Sequence, residues 1–591
     1  MNNKINPGQL IKLSIKESWP KLWTKFTAVF IVAIVSMFFA LLPPLILRRV
    51  IDNYIKLGIT QGLWQAATLY LLVYLGSSFM QFLQTYLTSF IGQYLLYDMR
   101  LKLATHLSKL SIKYYNKTPV GELISRVTSD VDAIDKIFSA GLINSITSLF
   151  QVFGVLAAMY IISPTLCFVS LIVLPIVYVL AKYFRKNMLQ AQMLIRKSIS
   201  LINTYLQEIF SGMRIIKSFD KENDYCHKFQ QPLENSLKVS HKAAFYISAF
   251  PCVMQVLRSF IIALVVFLAA KTSVTDSLAI SVGSLAAMID LLARLIGPIE
   301  SLSNQIQIIQ QAVAGIKRVA ELLSVKTEQK TEVESFNGNI AYYHNPYSIE
   351  LQNVSFAYNE NQNVVNNMSI KIPQGEKVAL VGRTGAGKTT VMNLIAGLYA
   401  PNKGNVKIYG INPYNLNPND RRKLIGIVPQ QVVIFEGSVA DNITLNSDEI
   451  PRETVIEAAK SVGLHEFIKK LENGYDTVLG TLGMKLSFGQ SQLLSIARAI
   501  VCNPPVLLLD EPTSQMDTIT EEQVFKALRQ ASKQRTIITI SHRLSGIVDA
   551  DTVHIIANGD LVQSGSPEQL AQEKGWYQVY KQLEDLGWKL G

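Results

Sequence analysis

The sequence predicts a multidomain chain: a six-helix, all-α transmembrane half followed by a layered α/β half built around a phosphate-binding loop. Three observations carry this. Residues 26–47, 57–97 and 137–181 hold no charged side chain, and about 20 apolar residues suffice to cross a bilayer. The run VGRTGAGKTT at 381–390 fills the pattern G-x-x-x-x-G-K-T. From Ile349 onward β-type and helical runs alternate, as in a layered α/β domain.

Composition narrows the class. A chain of 591 residues should hold several domains. It is 49% hydrophobic and 17% charged, too apolar for an ordinary soluble enzyme. The net charge of +12 is unevenly spread: residues 1–325 carry 31 Lys+Arg against 16 Asp+Glu, and residues 326–591 carry 25 against 28. The basic excess therefore belongs to the apolar half, where it reads as membrane topology, and no nucleic-acid partner is expected. Cys167, Cys226, Cys252 and Cys502 lack C-x-x-C spacing, which gives no disulfide or zinc framework; they read as buried small hydrophobes. The first 25 residues hold Lys4, Lys12, Lys16, Lys21 and Lys25 and no long apolar core, so no cleavable signal peptide is expected.

The six expected spans lie at 26–47, within 64–87, as two helices within 137–181 that turn at Ser163-Pro164-Thr165, and at 244–270 and 278–299. Pro43 and Pro44 are expected to kink the first. Segments 1–25, 98–136 and 182–242 hold 5, 7 and 11 basic residues, while the opposite loops hold only Arg48, Arg49, Lys56 and Lys271. The positive-inside rule then puts both termini in the cytosol. The two long cytosolic segments show helical periodicity and read as span helices that continue and turn at short crossing helices, with candidates at 119–132 and 206–217. Three charges fall inside spans: Arg258, Asp290 and Arg294. Asp290 and Arg294 are four apart and can pair along one helix face, either as substrate or gating contacts or as a structural pair. Gln81, Gln84 and Gln151 can line a cavity or bond neighbouring helices.

A polar, aperiodic linker at 324–345 separates residues 1–323 from the α/β half, 346–591. Around the loop, EKVALV reads as a strand and TTVMNLIAGLY as a helix, the context this motif requires. Gly382, Gly385 and Gly387, with Thr384 and Thr390, are expected to curl backbone N–H groups around phosphate oxygens at a helix N-terminus. Lys388 can reach the β/γ-phosphates, and the Thr389 hydroxyl can bind Mg²⁺. In VLLLDEP, the apolar run Val506–Leu509 suits a strand buried on both faces. Asp510 at its end can hold the Mg²⁺ shell, and Glu511 can orient or deprotonate an attacking water. Tyr358 can stack on adenine. Gln430 can touch Mg²⁺ or the water. Ser487, Gly489 and Gln490 open a helix in KLSFGQSQLLSIARAIV, a second phosphate-binding end. Asp517 follows, and His542 can contact the γ-phosphate. A lone Tyr or His would read as core; the order and spacing of the set favour a site.

These motifs make the second half similar to an ATP-binding-cassette (ABC) domain of the P-loop NTPase class. The resemblance rests on the P-loop at 382–389, LSFGQ at 486–490, the acidic strand at 506–511 and the histidine at 542. With six preceding spans the chain resembles a bacterial ABC half-exporter, nearest the multidrug-like (Mdl/MsbA-type) group, whose first cytosolic loop TPVGELISRVTSDVDAI resembles. The resemblance implies ATP and Mg²⁺ as cofactors and a multi-pass protein of the bacterial cytoplasmic membrane among lipids. It implies a head-to-tail dimer in which ATP lies between one chain's P-loop and the other's Ser487 and Gly489. It further implies alternating access that exports an amphipathic small-molecule substrate; a lipid flippase, a peptide exporter and an ATP-gated channel are the alternatives. Two positions depart from the family pattern: Phe488 where glycine is usual, and Thr481 where exporters often have glutamate. With Lys388, Asp510, Glu511 and His542 intact, these departures favour a second, different half-transporter as partner over a homodimer.

Overall fold

The computed structural model describes residues 7–137, 141, 143–274, 281–328, 345–359, 362–480, 483–511, 518–541 and 549–585. Two compact units form. One holds residues 1–110 and 118–327, the other 111–117 and 328–591.

The first unit is all helix: α1 (Pro7–Val50), α2 (Leu63–Ser108), then, after the short α3 (Ile112–Lys117) of the other unit, α4 (Val120–Val127), α5 (Ser129–Lys136), α6 (Ile143–Ile162), α7 (Pro164–Ser218), α8 (Glu222–Val274) and α9 (Val282–Leu323). Among the described residues four helices are long and apolar enough to cross a membrane, in α1, α2, α6 and α8. The remaining two expected spans fall in α7 and α9, whose apolar stretches include side chains outside the described residues. The expected turn is built as the sequence suggests: Ser163 caps α7 by accepting from the Leu166 N–H, and Pro164 takes the first helical position, where no N–H is needed. Met159, Val265, Met288 and Leu291 form a fully buried core among α6, α8 and α9.

Asp290 and Arg294 pair within α9 and reach α1. Arg294 pairs with Asp290 at 3.1 Å and donates through Nη1 to the Ala40 carbonyl oxygen of α1 at 3.2 Å. Ala40 lies four residues before Pro44, which has no N–H to offer that carbonyl. The guanidinium therefore fills the vacancy that proline opens in α1. Arg294→Met should destabilise the helical unit by about 1–3 kcal/mol, the worth of hydrogen bonds donated by a charged group. Pro44→Ala in that background restores a donor and should recover part of the loss, as read by thermal unfolding in detergent. Gln84 donates to the Thr147 hydroxyl at 3.1 Å, joining α2 to α6. Arg258 is exposed on α8.

Two expectations about the cytosolic segments need correction. Residues 119–132 do not form a crossing helix. They make α4 and α5, broken at Thr128, and pack on α2 and α9. Asp130, 5% exposed, is gripped by both arms of Arg318, at 2.5 and 2.9 Å. On α5 the amphipathic face is spent within the helical unit, where Val131 and Ile134 are buried, whereas on α4 Leu123 is buried and Val120 and Ile124 are exposed. The short helix is α3, just upstream, and it belongs with the nucleotide half. Residues 206–217 are likewise continuous helix; α7 reverses only at Phe219–Lys221, where Asp220 adopts φ +51°. The cysteines also differ from expectation: Cys167 is buried, but Cys226 and Cys252 are exposed on α8.

The second unit is layered α/β. Its strands are β1 (Tyr347–Phe356), β2 (Val365–Pro373), β3 (Lys377–Val381), β4 (Lys403–Ile408), β5 (Ile425–Val428), β6 (Gly437–Ser438), β7 (Val478–Leu479), β8 (Val506–Asp510), β9 (Thr536–Ile540), β10 (Thr552–Ala557) and β11 (Asp560–Gly565). β2-β1-β4 form an antiparallel sheet, β6 pairs with β7, and the main sheet runs β11-β10-β3-β9-β8-β5, parallel except for β11. The helices used below are α10 (Lys388–Ile395), α11 (Pro418–Leu424), α12 (Val439–Thr444), α13 (Arg452–Ser461), α14 (His465–Lys469) and α15 (Phe488–Ile500). One core lies between α10 and the two sheets; the other gathers α12 to α15.

His554 on β10 is 6% exposed, its Nδ1 sharing a 2.8 Å hydrogen bond with the Ser564 hydroxyl. Burial pushes this imidazole from 6.5 down to about 4. A histidine held neutral in the fold stabilises fully above 6.5, and that contribution is lost as pH falls toward 4. The loss approaches about 3 kcal/mol. His554→Gln should flatten the decline in melting temperature across that window.

Candidate active site

Adjacent parallel strands deliver the candidate site to one edge of the main sheet. The chain leaves β3 as the P-loop, β8 as the Asp510–Glu511 pair and β5 as Pro429–Gln430, while β9 lies between β3 and β8. In open α/β sheets ligands bind beyond the carboxyl ends of the strands.

The loop's shape depends on its glycines. A Cβ on Gly382 would sit 2.1 Å from the Ile556 carbonyl oxygen, and one on Gly387, at φ +106°, 2.8 Å from that of Val364. Only glycine fits either place. α10 begins at Lys388, so its first amide groups open onto the loop. Lys388 is 5% exposed and donates through Nζ to the Gly382 and Arg383 carbonyl oxygens at 2.7 and 3.0 Å. Burial lowers its pKa, while the Glu511 and Asp510 carboxylates act to raise it. A desolvated ammonium held by neutral carbonyls inside a glycine cradle suits a phosphate anion. Thr384, Gly385 and Thr389 are exposed at the loop and helix start. Thr390 is buried, its hydroxyl 3.2 Å from that of Tyr358.

Glu511 is the second centre. It adopts φ +47°, a left-handed conformation uncommon outside glycine and concentrated at functional sites. Gln430 Nε2 donates to its Oε2 at 2.8 Å. Burial raises its carboxyl above the ordinary 4.5, against the opposing pull of Lys388 and the Gln430 hydrogen bond. A carboxylate so placed is a better base toward water than a solvated one. Asp510 ends β8 beside it. With Thr389 it supplies the oxygen donors that Mg²⁺ prefers, so the residues fit a magnesium-bound triphosphate, whose charge the metal would help neutralise.

The third group stands at the start of α15. Ser487 is the N-cap, its hydroxyl accepting from the Gln490 N–H at 3.2 Å, while the Gln490 side chain accepts from the Ser487 N–H at 2.9 Å. Phe488 takes the first helical position, so the backbone there needs no glycine, and its ring is 46% exposed. Gly489 is buried. Thr481, Asp517 and His542 lie outside the described residues.

Sequence reasoning missed Asn116 and Tyr399. α3 carries Ile112, which packs on the core next to α10, and Asn116, whose Nδ2 donates to the Tyr399 hydroxyl at 2.5 Å. The signal was present: Ser111 and Pro119 bracket a short polar run inside a long helical segment.

Buried lysine, raised carboxylate and glycine cradle on a chain of membrane-length helices define the class, an ATP-dependent membrane transporter. Residues 26–299 match the ABC transporter transmembrane region, and residues 365–514 match the ABC transporter family. An ATP-dependent lipid A-core flippase of Syntrophus aciditrophicus is 33% identical over 88% of this chain and 86% of its own length. A probable multidrug resistance ABC transporter ATP-binding/permease protein, YheH of Bacillus subtilis, is 32% identical over 85% and 74%. The solved structure of a bacterial Atm1-family ABC exporter with ATP bound superposes with a TM-score of 0.73 over 95% of this chain and 98% of that one. At 23% identity, that likeness speaks for the fold. The chain belongs to the ABC transporter family, as an exporter whose ATP hydrolysis is coupled to transport.

Proposed function

We propose that this chain is one half of an ATP-driven exporter that moves amphipathic small molecules, drug-like compounds among them, from the cytosol or inner leaflet outward by alternating access. The observation that carries the reading is the linked trio of Lys388, Glu511 and Gln430 beside a glycine cradle, on a chain with membrane-length apolar helices. In this role Lys388 and the loop amides bind the triphosphate, and Thr389, Asp510 and Gln430 hold Mg²⁺. Glu511 takes a proton from the attacking water, and His542 steadies the γ-phosphate. Tyr358 carries the adenine. ATP drives the cycle by binding one conformation of the dimer better than the other.

Residues 1–323 serve as the transmembrane domain with six spans, 324–345 as linker and 346–591 as the nucleotide-binding domain. The location is the bacterial cytoplasmic membrane, with both termini and the ATPase in the cytosol, as the basic loop bias supports. Half-transporters of this family act as dimers. The bulky, exposed Phe488 between Ser487 and Gly489, where a partner's nucleotide would dock, supports a heterodimer with one weakened site. A second reading, a lipid flippase, is supported by the likeness to the lipid A-core flippase. Vesicles containing the chain alone, or with a second half-transporter, separate these readings. ATP-dependent movement of a fluorescent amphipathic dye favours export of small molecules. Movement of a fluorescent phospholipid without dye movement favours the flippase, and neither, under active hydrolysis, sinks both.

A further inference from the structure

We propose that Gly559, at the tip of the β10–β11 hairpin, is a positioning residue for the phosphate cradle: its amide holds the Ala386 carbonyl and thereby aims the Gly387 N–H at a bound phosphate. The proposal rests on the reading of residues 382–389 as the triphosphate site.

The hairpin tip is built to offer that amide. Ala557 pairs with Asp560, so Asn558 and Gly559 make a two-residue turn. Their φ angles, +51° and +86°, are both left-handed, as a type I′ turn requires and as the pair Asn-Gly favours. The tip is pinned from β2. The Asn366 N–H donates to the Gly559 carbonyl oxygen at 2.9 Å, and Asn366 Nδ2 donates to that of Asn558 at 3.2 Å. The Gly559 N–H is then left to the P-loop, where it donates to the Ala386 carbonyl oxygen at 3.1 Å.

That bond sets the next amide. A trans peptide is planar, with its C=O and N–H on opposite sides. Holding the Ala386 carbonyl toward the hairpin turns the Gly387 N–H away from it. Among the described residues this N–H has no hydrogen-bond acceptor, so it is left for a ligand. The Gly382 and Arg383 carbonyls are held by the Lys388 ammonium, and those bonds yield when the ammonium turns to a phosphate. The Gly559 bond joins backbone to backbone and need not yield. The tip also has no spare room. A Cβ on Gly559 would lie 2.6 Å from the Val364 carbonyl oxygen, the same atom that excludes a Cβ from Gly387 at 2.8 Å. A side chain at 559 must therefore shift the tip and its bond to the loop.

Binding of Mg-ATP and Mg-tripolyphosphate to the full-length Gly559→Ala chain in detergent, with thermal unfolding of the same samples, tests this. Affinity should fall about tenfold, the lower worth of a hydrogen bond to a charged group. The factor should be the same for both probes, because the tip acts on the phosphates and not the base. The KM for ATP should rise in step, with little change in kcat. Asn366→Ala keeps Gly559 and frees only the Asn558 carbonyl, so it loosens the tip without adding strain. It should show the same pattern at about two- to threefold. A lowered melting temperature with unchanged affinity in either variant, or a loss confined to ATP, overturns the role of Gly559 alone. A parent chain that does not bind tripolyphosphate overturns the reading of the loop and the proposal with it.

Discussion

The full-length chain carrying Glu511→Gln is expected to hydrolyse ATP at least about 10²-fold more slowly than the parent while binding ATP undiminished, since general-base catalysis contributes about 10²–10⁴-fold. The argument is geometric first. Gln430 fixes one carboxylate oxygen at 2.8 Å, and the left-handed backbone at Glu511 holds the side chain at the end of β8. Replacing the carboxylate by an amide keeps size and most contacts but removes the proton acceptor. The pH profile carries the same signature. Because burial raises the Glu511 carboxyl, the acid limb of hydrolysis should lie above 4.5, the group being active only when ionised. An acid limb at or below that value, or turnover retained in Glu511→Gln, would remove Glu511 from the catalytic role.

Lys388→Ala should act earlier, on binding itself, weakening ATP affinity by about 10²-fold or more as a buried charge contact is lost. Among the described residues this ammonium donates to the carbonyls of Gly382 and Arg383, and two carboxylates oppose the lowering of its pKa by burial. A phosphate would give it the anionic partner it lacks among those two bonds. Fluorescent-nucleotide titration of the purified chain measures the loss. Hydrolysis at saturating ATP tells binding from chemistry: a variant that recovers full turnover there has lost affinity only. Unchanged affinity would mean that the loop amides alone hold the triphosphate.

The parts of this molecule legible in the sequence are those where local chemistry admits one solution. The glycines at 382 and 387 face carbonyl oxygens that leave no room for a Cβ, so the motif dictates the loop. The run Val506–Leu509 is buried on both faces, as an apolar run without alternation requires. Ser163-Pro164 ends one helix and starts another by cap chemistry alone. What could not be read depends on partners distant in sequence. The amphipathic stripe at 119–132 indicated that a face would be buried, not that Arg318, nearly 190 residues on, would bury Asp130. Asp290 and Arg294 were visible as a pair, but the pair's target, the Ala40 carbonyl released by Pro44, requires two helices to meet. Nothing local in the sequence marks Tyr399, whose partners Asn116 and Tyr358 come from distant parts of the chain.

The most direct measurement is dye uptake into inverted membrane vesicles containing the chain, compared between parent and Glu511→Gln, with and without Mg-ATP. Accumulation that requires ATP and disappears in the variant is the predicted result. Uptake at the same rate without ATP, or in the variant, would contradict the claim that hydrolysis at this site powers movement across the membrane.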